Sequence, residues 1–199
     1  MARPRQFDEH AALTAARDLF WAKGYQATST RELTQTMGLT QPSLYNAFGD
    51  KRSLFLRTLD DYLDSSMRER IRRHEATESP GRAIAGYVAE TIDRSMADPE
   101  HRGCMLINAA LEATSDDPEF QQLIAAELDQ LRAFFERCIR AGLASGEVVT
   151  TSSPEDAATS LLATQIGVRV LARVKPERAV LEAVARPALA MLGLTLPTD

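Results

Sequence analysis

The sequence predicts an all-α protein of about nine helices, and two observations carry that prediction. Apolar residues recur every three or four positions through most of the 199 residues, which is the period of a helix with one buried face. Strand signals are nearly absent, because the only β-like run covers residues 148–151 and no Asn-Gly or Asp-Gly hairpin turn occurs. Proline, glycine and capping residues divide the chain into individual helices.

Three helices are predicted in the first fifty residues, and the first covers residues 8–23. The second starts at a capping box of Ser29 and Glu32 and ends at Gly38, which can adopt the left-handed conformation of a tight turn. The third covers residues 41–48. Two short helices joined by a glycine-containing turn are typical of a helix-turn-helix.

The remaining helices are predicted from the same signals. A long fourth helix, capped by Asp50, connects the N-terminal helices to the rest of the chain over about residues 51–75. The others are expected at residues 79–96, 103–114, 117–141, 153–174 and from 177 onward, the last with a bend at Pro187. Residues 142–153 are expected to form a polar, glycine-containing loop.

The composition excludes several classes of protein. With 44% hydrophobic and 26% charged residues, the chain has the composition of a globular protein. No apolar run approaches the ~20 residues that span a bilayer, and the basic N-terminus lacks the apolar core of a signal peptide. Cys104 and Cys138 are too few for a disulfide framework. We therefore expect a reduced, cytoplasmic protein with no membrane partner.

Charge is distributed unevenly along the chain. The net charge is −5, yet residues 1–60 carry eight Lys or Arg and six Asp or Glu, whereas residues 61–199 carry 15 and 22. A slightly basic end on an acidic remainder fits a protein that contacts nucleic acid phosphates with one end only. Arg3 and Arg5, ahead of the first helix, could enter a minor groove from a flexible arm.

The N-terminal residues resemble the DNA-binding domain of TetR-family regulators over residues 7–58. Two runs carry the resemblance, FWAKGYQATSTREL at 20–33 and MGLTQPSLYNAFGDK at 37–51. Thr34 and Thr36 stand where the family often has alanine, and both are small enough for the contact between helices. The resemblance implies double-stranded DNA as a partner, with a C-terminal helical domain that dimerises and holds an effector pocket.

Matching the motif position by position gives candidate DNA contacts. Gln41 and Asn46 can pair with adenine edges, while Tyr45 and Lys51 resemble family residues that contact the DNA backbone. Residues 28–31 lie at a helix N-terminus, which suits phosphate oxygens. Gln41 could instead be only a solvated residue at the helix start. The full set of candidate contacts is Thr28, Ser29, Thr30, Arg31, Gln41, Pro42, Ser43, Tyr45, Asn46 and Lys51.

The C-terminal half contains polar residues scattered among apolar ones, as an effector pocket requires. The candidate pocket residues are Tyr87, Cys104, Asn108, Glu112, Gln165 and Arg169. The run GCMLINAALE at 103–112 resembles a Gly-Cys-x-x-x-Asn stretch found in a subset of the family, some of whose members sense oxidants or electrophiles with that cysteine. Arg102 and a helix N-terminus near Cys104 both favour a reactive thiolate. A buried, inert cysteine is the alternative.

The last two predicted helices carry more apolar residues than one buried face needs, so we expect a homodimer surface there. The residues are Leu161, Leu162, Ile166, Val170 and Leu171 on the first helix, and Val180, Leu181, Val184, Leu189 and Leu192 on the second. The alternative is that they fill the core of a monomer. Two half-sites bound together would strengthen DNA recognition.

We therefore predict a sequence-specific DNA-binding transcriptional regulator, a repressor released from a palindromic operator by a small-molecule or redox signal. The expected organisation is a DNA-binding domain over residues 1–50, the connecting helix, and an effector-binding and dimerisation domain over 76–199. The alternatives are a small-molecule-binding helical enzyme and a protein–protein adaptor. We assign no catalytic residue, cofactor or metal ligand, because no phosphate-binding glycine loop, nucleophile elbow or metal-ligand cluster stands in the sequence.

Overall fold

The computed structural model describes residues 7–197, and every regular element in that range is a helix. The α-helices are α1 (Glu9–Lys23), α2 (Thr30–Met37), α3 (Gln41–Phe48), α4 (Lys51–Leu63), α5 (Glu69–Thr77), α6 (Pro80–Ala97), α7 (Met105–Glu112), α8 (Pro118–Ser145), α9 (Pro154–Val174) and α10 (Arg178–Ala190). A π-helical segment, Asp64–Arg68, joins α4 and α5 into one continuous helix. The predicted all-α fold is confirmed. Within the same residues, no helix has the length and apolar character needed to cross a membrane.

We call α1–α3 the head and α6–α10 the body. Local capping explains where the head helices begin and end. The Ser29 Oγ accepts a hydrogen bond from the Glu32 N–H at 3.2 Å, while the Glu32 carboxylate accepts one from the Ser29 N–H at 2.9 Å, so the predicted capping box is confirmed. Gly38 has φ +64° and turns the chain between α2 and α3 without a Cβ clash. Leu44 and Phe48 of α3 are buried in the core.

The continuous helix over residues 51–77 links the head to the body. Its π-helical segment lies where the hydroxyls of Ser65 and Ser66 donate hydrogen bonds to the carbonyl oxygens of Asp61 and Tyr62. Such hydroxyls compete with the backbone for its acceptors and bend helices. Turns of π-helix recur at functional sites, and here Ser66 lines a cavity of the body.

The body helices pack around buried aromatic rings. The centroids of Tyr87, Phe134 and Phe135 lie 5.1 to 5.6 Å apart. Helix α8 continues past residue 141 to Ser145, so the prediction that residues 142–153 form a loop was wrong at its start. Glycine is typical of a helix end, but Gly142 lies inside α8 because Val148 packs against it. A Cβ at this position would stand 2.4 Å from Cγ2 of Val148. This glycine makes room for the loop that folds back onto α8.

Candidate nucleic-acid interface and body cavity

The outward face of α3 is polar and exposed. Gln41, Tyr45 and Asn46 are all exposed, and the Gln41 Nε2 donates a hydrogen bond to the Tyr45 hydroxyl at 3.4 Å. Leu44 and Phe48 are buried on the opposite face. Helix α3 is therefore fixed to the head while its polar side chains stay available to a partner.

The first turn of α3 supplies two further candidate residues. Pro42 is exposed there, at a position where proline removes no helical hydrogen bond. Ser43 is half-buried, its Oγ 2.8 Å from the Thr40 Oγ that caps the helix. An eight-residue helix is about 12 Å long, which matches the width of a major groove.

The N-terminus of α2 presents part of the predicted phosphate-binding group. Ser29 and Arg31 are exposed and Thr30 is half-buried. The capping box occupies the Ser29 side chain, and the positive end of the helix at Thr30 and Arg31 suits an anion. Thr28 differs from these, because it is 1% exposed and its hydroxyl donates to the Gly24 carbonyl at 2.6 Å. The structure thus directs the Thr28 side chain inward.

Two charged groups flank this surface. The Glu32 carboxylate binds Lys23 and Ser29, and these contacts hold its pKa down to about 2. Lys51 begins α4, and its Nζ lies 4.4 Å from the centroid of the Tyr25 ring. Partial burial lowers the pKa of Lys51, and the nearby Glu112 carboxylate opposes that shift. Lys51 therefore lies at the junction between head and body.

Contacts close to the head join it and the start of the connecting helix to the body. The Glu112 carboxylate, at the end of α7, accepts hydrogen bonds from the backbone N–H of Tyr25 at 3.1 Å and of Gln26 at 2.7 Å. Glu112 was expected to lie in the effector pocket, but the structure places it at this junction instead. The Arg52 guanidinium binds Asp117, and the Arg102 guanidinium lies 3.9 Å from the centroid of the Trp21 ring.

A cavity in the body brings together four of the six predicted pocket residues, namely Tyr87, Cys104, Gln165 and Arg169. Most of its wall is apolar and comes from Leu63, Met67, Leu106, Ile107, Leu128, Leu131, Leu162 and Ile166. Its volume is about 40 Å³, enough for a small chemical group or a few water molecules. A larger ligand would require side chains to move. We call this space the inner cavity.

The predicted Gly-Cys-x-x-x-Asn stretch forms a turn at the start of α7. Gly103 has φ +75°, and a Cβ there would lie 3.3 Å from the Arg169 carbonyl oxygen, so the turn approaches α9 closely. The Asn108 Nδ2 donates to the Arg102 carbonyl at 2.9 Å. Asn108 therefore stabilises the turn and does not line the inner cavity, whereas Cys104 does.

Sequence reasoning missed Arg70 and Tyr62, which also line the inner cavity. Arg70 is 2% exposed, and its Nη2 donates at 2.7 Å to both the Tyr87 carbonyl and the Thr91 hydroxyl. The sequence did contain a signal for Arg70. It lies three residues after Met67, so helical spacing places both residues on the buried face of the connecting helix. Burial, with the Cys104 thiol beside it, raises the pKa of the Tyr62 hydroxyl.

The apolar residues predicted for dimerisation fall into two groups. Four of them are buried in the chain's own core, namely Leu161, Leu181, Leu189 and Leu192. The other six are half-buried or exposed, and they are Leu162, Ile166, Val170, Leu171, Val180 and Val184. Val174 and Met191, on or beside the same two helices α9 and α10, are 73% and 48% exposed. An apolar surface therefore remains after the core is filled.

Two further predictions concern metal sites and the N-terminal arm. Among residues 7–197, no group of three or more His, Cys, Asp or Glu side chains is arranged to hold a metal ion. Arg3 and Arg5 lie outside the described residues.

Comparison with known proteins relates both parts of the chain to one family. The family model described as bacterial regulatory proteins of the tetR family matches residues 12–58, and the tetracyclin repressor-like C-terminal domain model matches residues 80–188. The chain is 34% identical to the uncharacterized HTH-type transcriptional regulator YezE of Bacillus subtilis, over 71% of this chain and 73% of that one. It is also 34% identical to the HTH-type transcriptional repressor ComR of Escherichia coli, over 69% of this chain and 64% of that one.

Solved structures agree with this relationship. The TetR family transcriptional regulator CifR, determined as a cysteine mutant in complex with 26-base-pair operator DNA, aligns with a TM-score of 0.85 and 33% identity. That alignment covers 96% of this chain and 100% of CifR. With its helix-turn-helix, its helical body and these matches along most of its length, the chain belongs to the tetR family of bacterial regulatory proteins and is a transcriptional regulator, not an enzyme.

Proposed function

We propose that this regulator is a homodimeric repressor that binds a palindromic operator and releases it when a small molecule or an oxidant acts on the body. The exposed polar face of α3, fixed to the head by its buried opposite face, is the observation that carries the proposal.

We assign DNA binding to residues 1–50, the connection to residues 51–75, and effector binding and dimerisation to residues 76–199. ComR is named a repressor, and CifR was solved on operator DNA, which supports this direction of regulation. Because its proposed partner is operator DNA, we place the protein in the cytoplasm.

In this proposal α3 contacts base edges and its surroundings contact phosphates. Gln41 and Asn46 carry amides that can pair bidentately with adenine in the major groove. Tyr45, from the same exposed face, would donate its hydroxyl to a phosphate. Arg31, exposed in the first turn of α2, and Lys51 at the start of α4 would place positive charge against the backbone.

The dimer surface is proposed on α9 and α10. Val170 and Val174 lie one turn apart on α9 and are 40% and 73% exposed, so they share one outward face. Helices α9 and α10 pack closely at Gly167, which faces Val184. A Cβ at Gly167 would lie 3.8 Å from Cγ1 of Val184. A second copy would cover this apolar surface. Sedimentation of the Val170→Glu variant tests it, since loss of the dimer is expected and an unchanged dimer would contradict the surface.

The inner cavity is the proposed effector site because α7 connects it to the head. Leu106 and Ile107 of α7 line the cavity, while Glu112 at the end of the same helix binds the backbone of Tyr25 and Gln26. A ligand changes the operator affinity only if it binds one arrangement of the heads better than the other. A ligand that displaces α7 would alter the contact made by Glu112.

A redox signal at Cys104 is a second candidate, favoured by the position of its side chain on the inner cavity wall. Modification of this thiol would add volume beside Tyr62 and Arg169 and act on α7 as a ligand would. The rate of Cys104 alkylation tests this candidate. A rate no faster than that of a free thiol would contradict it.

Selection of bound duplexes from a random pool, at two salt concentrations, tests the proposed DNA recognition. We expect enrichment of a palindrome whose two half-sites match the two heads of a dimer. If no duplex sequence is enriched, and the protein binds all duplexes weakly and only through salt-dependent contacts, a sequence-specific regulator is contradicted. That result would favour the adaptor alternative.

A further inference from the structure

Two basic side chains and no acidic one line the inner cavity among the described residues. Arg70 and Arg169 contribute the charge, and half of the other lining residues are leucine or isoleucine. A guanidinium next to apolar surface is unfavourable unless a negative group compensates its charge. The partners of these two arginines therefore indicate which ligand the cavity can take.

Arg70 has a carboxylate partner, but that carboxylate is shared. The Arg70 Nε lies 3.3 Å from the Glu90 carboxylate. The same carboxylate binds the guanidinium of Arg73 at 2.6 Å and that of Arg94 at 2.9 Å. Arg70 therefore shares its carboxylate with two other arginines, of which Arg73 also binds Glu69 at 3.2 Å.

Arg169 has no carboxylate partner among residues 7–197. Its Nη1 donates a hydrogen bond to the Ser95 hydroxyl at 3.1 Å, which compensates none of its charge. Asp98, whose charge acts on Arg169 from a distance, is itself bound to Arg102 at 3.2 Å. A guanidinium stays protonated in proteins, so the half-buried Arg169 presents a positive charge that no carboxylate contacts among the described residues.

Gln165 lies one helical turn before Arg169 on the same face of α9. Its side chain is 3% exposed and lines the inner cavity, and its Nε2 has no hydrogen-bond partner among the described residues. A buried amide donor costs free energy until an acceptor reaches it. Gln165 thus has an unpaired amide donor one helical turn from Arg169, whose charge no carboxylate contacts among the described residues.

A second and larger cavity adjoins this position. Its volume is about 280 Å³, and it shares Tyr62, Ser66 and Arg169 with the inner cavity. Arg169 therefore lies where the two cavities meet. A molecule bound there can place a polar group at Arg169 and still have room on one side of it.

We propose that the ligand of this site is a small organic carboxylate with an apolar chain. Its carboxylate oxygens accept hydrogen bonds from Arg169 and Gln165. Its chain packs against the leucine and isoleucine side chains of the inner cavity, which must move apart to admit it because the cavity volume is about 40 Å³. Within residues 7–197, one guanidinium without a carboxylate partner and one unpaired amide match a planar, singly charged acceptor. The inference rests on the proposed effector role of the cavity and names its ligand class.

Calorimetric titration of the full chain, without DNA, tests the ligand class. The probes are acetate, butyrate, hexanoate and octanoate, with hexanamide and hexylammonium as neutral and cationic controls at constant ionic strength. We expect affinity to increase with chain length among the acids, and hexanamide to bind at least tenfold more weakly than hexanoate. Absence of binding by every acid, or equal binding of hexanoate and hexanamide, would overturn the proposal.

Variants of the two donors place the binding in the cavity. Arg169→Gln and Gln165→Leu should each weaken hexanoate binding by tenfold or more. Arg173→Gln is the matched control, because it removes the same charge one turn further along α9 from an exposed position, and its affinity should stay within twofold of the parent protein. An equal loss in Arg173→Gln would reject the site. If Arg169→Gln fails to fold, the affinity of Gln165→Leu for hexanoate and the comparison of hexanoate with hexanamide still test the site.

These titrations separate this inference from the proposed function. Because they contain no DNA, loss of carboxylate binding leaves operator recognition by α3 untouched. Conversely, carboxylate binding with no enriched operator in the duplex selection would uphold the ligand class and reject the DNA-binding proposal.

Discussion

The carboxylate of Glu112 accepts a hydrogen bond of 2.7 Å from the backbone N–H of Gln26, so the last residue of α7 is tied to the chain that leaves α1. The neighbouring Tyr25 N–H donates to the same carboxylate at 3.1 Å. The two residues lie far apart in sequence, and the contact joins the element that borders the inner cavity directly to the head. It is a direct physical route from the proposed effector site to the head that carries the proposed DNA surface.

Replacing Glu112 should loosen this connection. Glu112→Ala leaves two backbone N–H groups without their acceptor, and we expect the free energy of unfolding to fall by about 1 to 2 kcal/mol because Glu112 is only half-buried. Glu112→Gln keeps one acceptor oxygen and should lose less. Urea unfolding at a fixed protomer concentration measures both. The Glu112→Ala variant should still bind the ligand, but the ligand should change its operator affinity less than it changes that of the parent protein. An unchanged effect of the ligand on operator affinity would contradict signalling through Glu112.

Phosphate contacts should be separable from fold stability. Tyr45→Phe and Lys51→Gln should each weaken binding to all duplexes, and Lys51→Gln should reduce the slope of log affinity against log salt by about 1. Stability should change little, because Tyr45 is exposed and the contact of Lys51 with the Tyr25 ring contributes only ~0.5 to 1 kcal/mol. Arg72→Gln, an equal charge change at an exposed position on α5, is the control. A salt slope altered as much in Arg72→Gln would contradict a specific contact by Lys51.

The Glu90 carboxylate should stabilise the protein in a pH-dependent way. Burial would raise its pKa, but Arg73, Arg70, His74 and Arg94 together hold it down to about 2. Since the folded pKa is lower than the ordinary value of 4.5, its contribution is complete above pH 4.5 and is lost as the pH falls toward 2.

Glu90→Gln should therefore lower the free energy of unfolding at pH 7 by about 1 to 3 kcal/mol, less than for a fully buried pair because the Glu90 side chain is 22% exposed. The difference from the parent protein should shrink as the pH falls below 4.5. Urea unfolding at pH 7, 5 and 4 measures it, with Asp116→Asn at an exposed position as the control. A difference that grows on acidification would contradict the assigned ion pairs.

The two cysteines should react at different rates in the folded protein. Burial raises the pKa of the Cys138 thiol to about 12, with the Glu75 carboxylate adding to the shift and Arg137 opposing it. Because the thiolate is the nucleophile, Cys138 should resist iodoacetamide at pH 8 until the protein is denatured. Cys104 is half-buried on the cavity wall and should be labelled first, so Cys104→Ser should remove the early label. Early labelling of Cys138, read by mass spectrometry, would contradict this assignment.

Local signals made the helix boundaries of the head, and several beyond it, predictable. The capping box of Ser29 and Glu32, the left-handed Gly38 and the caps at Asp50 and Ser153 all act within a few residues, so the sequence pattern contains the whole interaction. The burial of Leu44 against the exposure of Tyr45 likewise follows from helical spacing alone.

Long-range contacts were not predictable in the same way. Glu112 has the polarity of a pocket residue, and only the folded chain brings Tyr25 and Gln26 to it. Gly142 has the character of a helix terminator, and only the return of Val148 shows that it makes room inside α8. Arg70 is one of several arginines on a basic stretch, and its burial depends on how the connecting helix packs on α6.

The most direct test of sequence recognition by α3 is the ratio of affinities for the selected operator and for a random duplex at one salt concentration. Asn46→Ala should lower operator affinity by roughly 5- to 150-fold, the loss of about 1 to 3 kcal/mol expected for a bidentate base contact, and leave random-duplex affinity unchanged. Gln35→Ala, at an exposed position on α2, should keep the parent ratio. An unchanged ratio in Asn46→Ala, or equal losses on both duplexes, would contradict base recognition through α3.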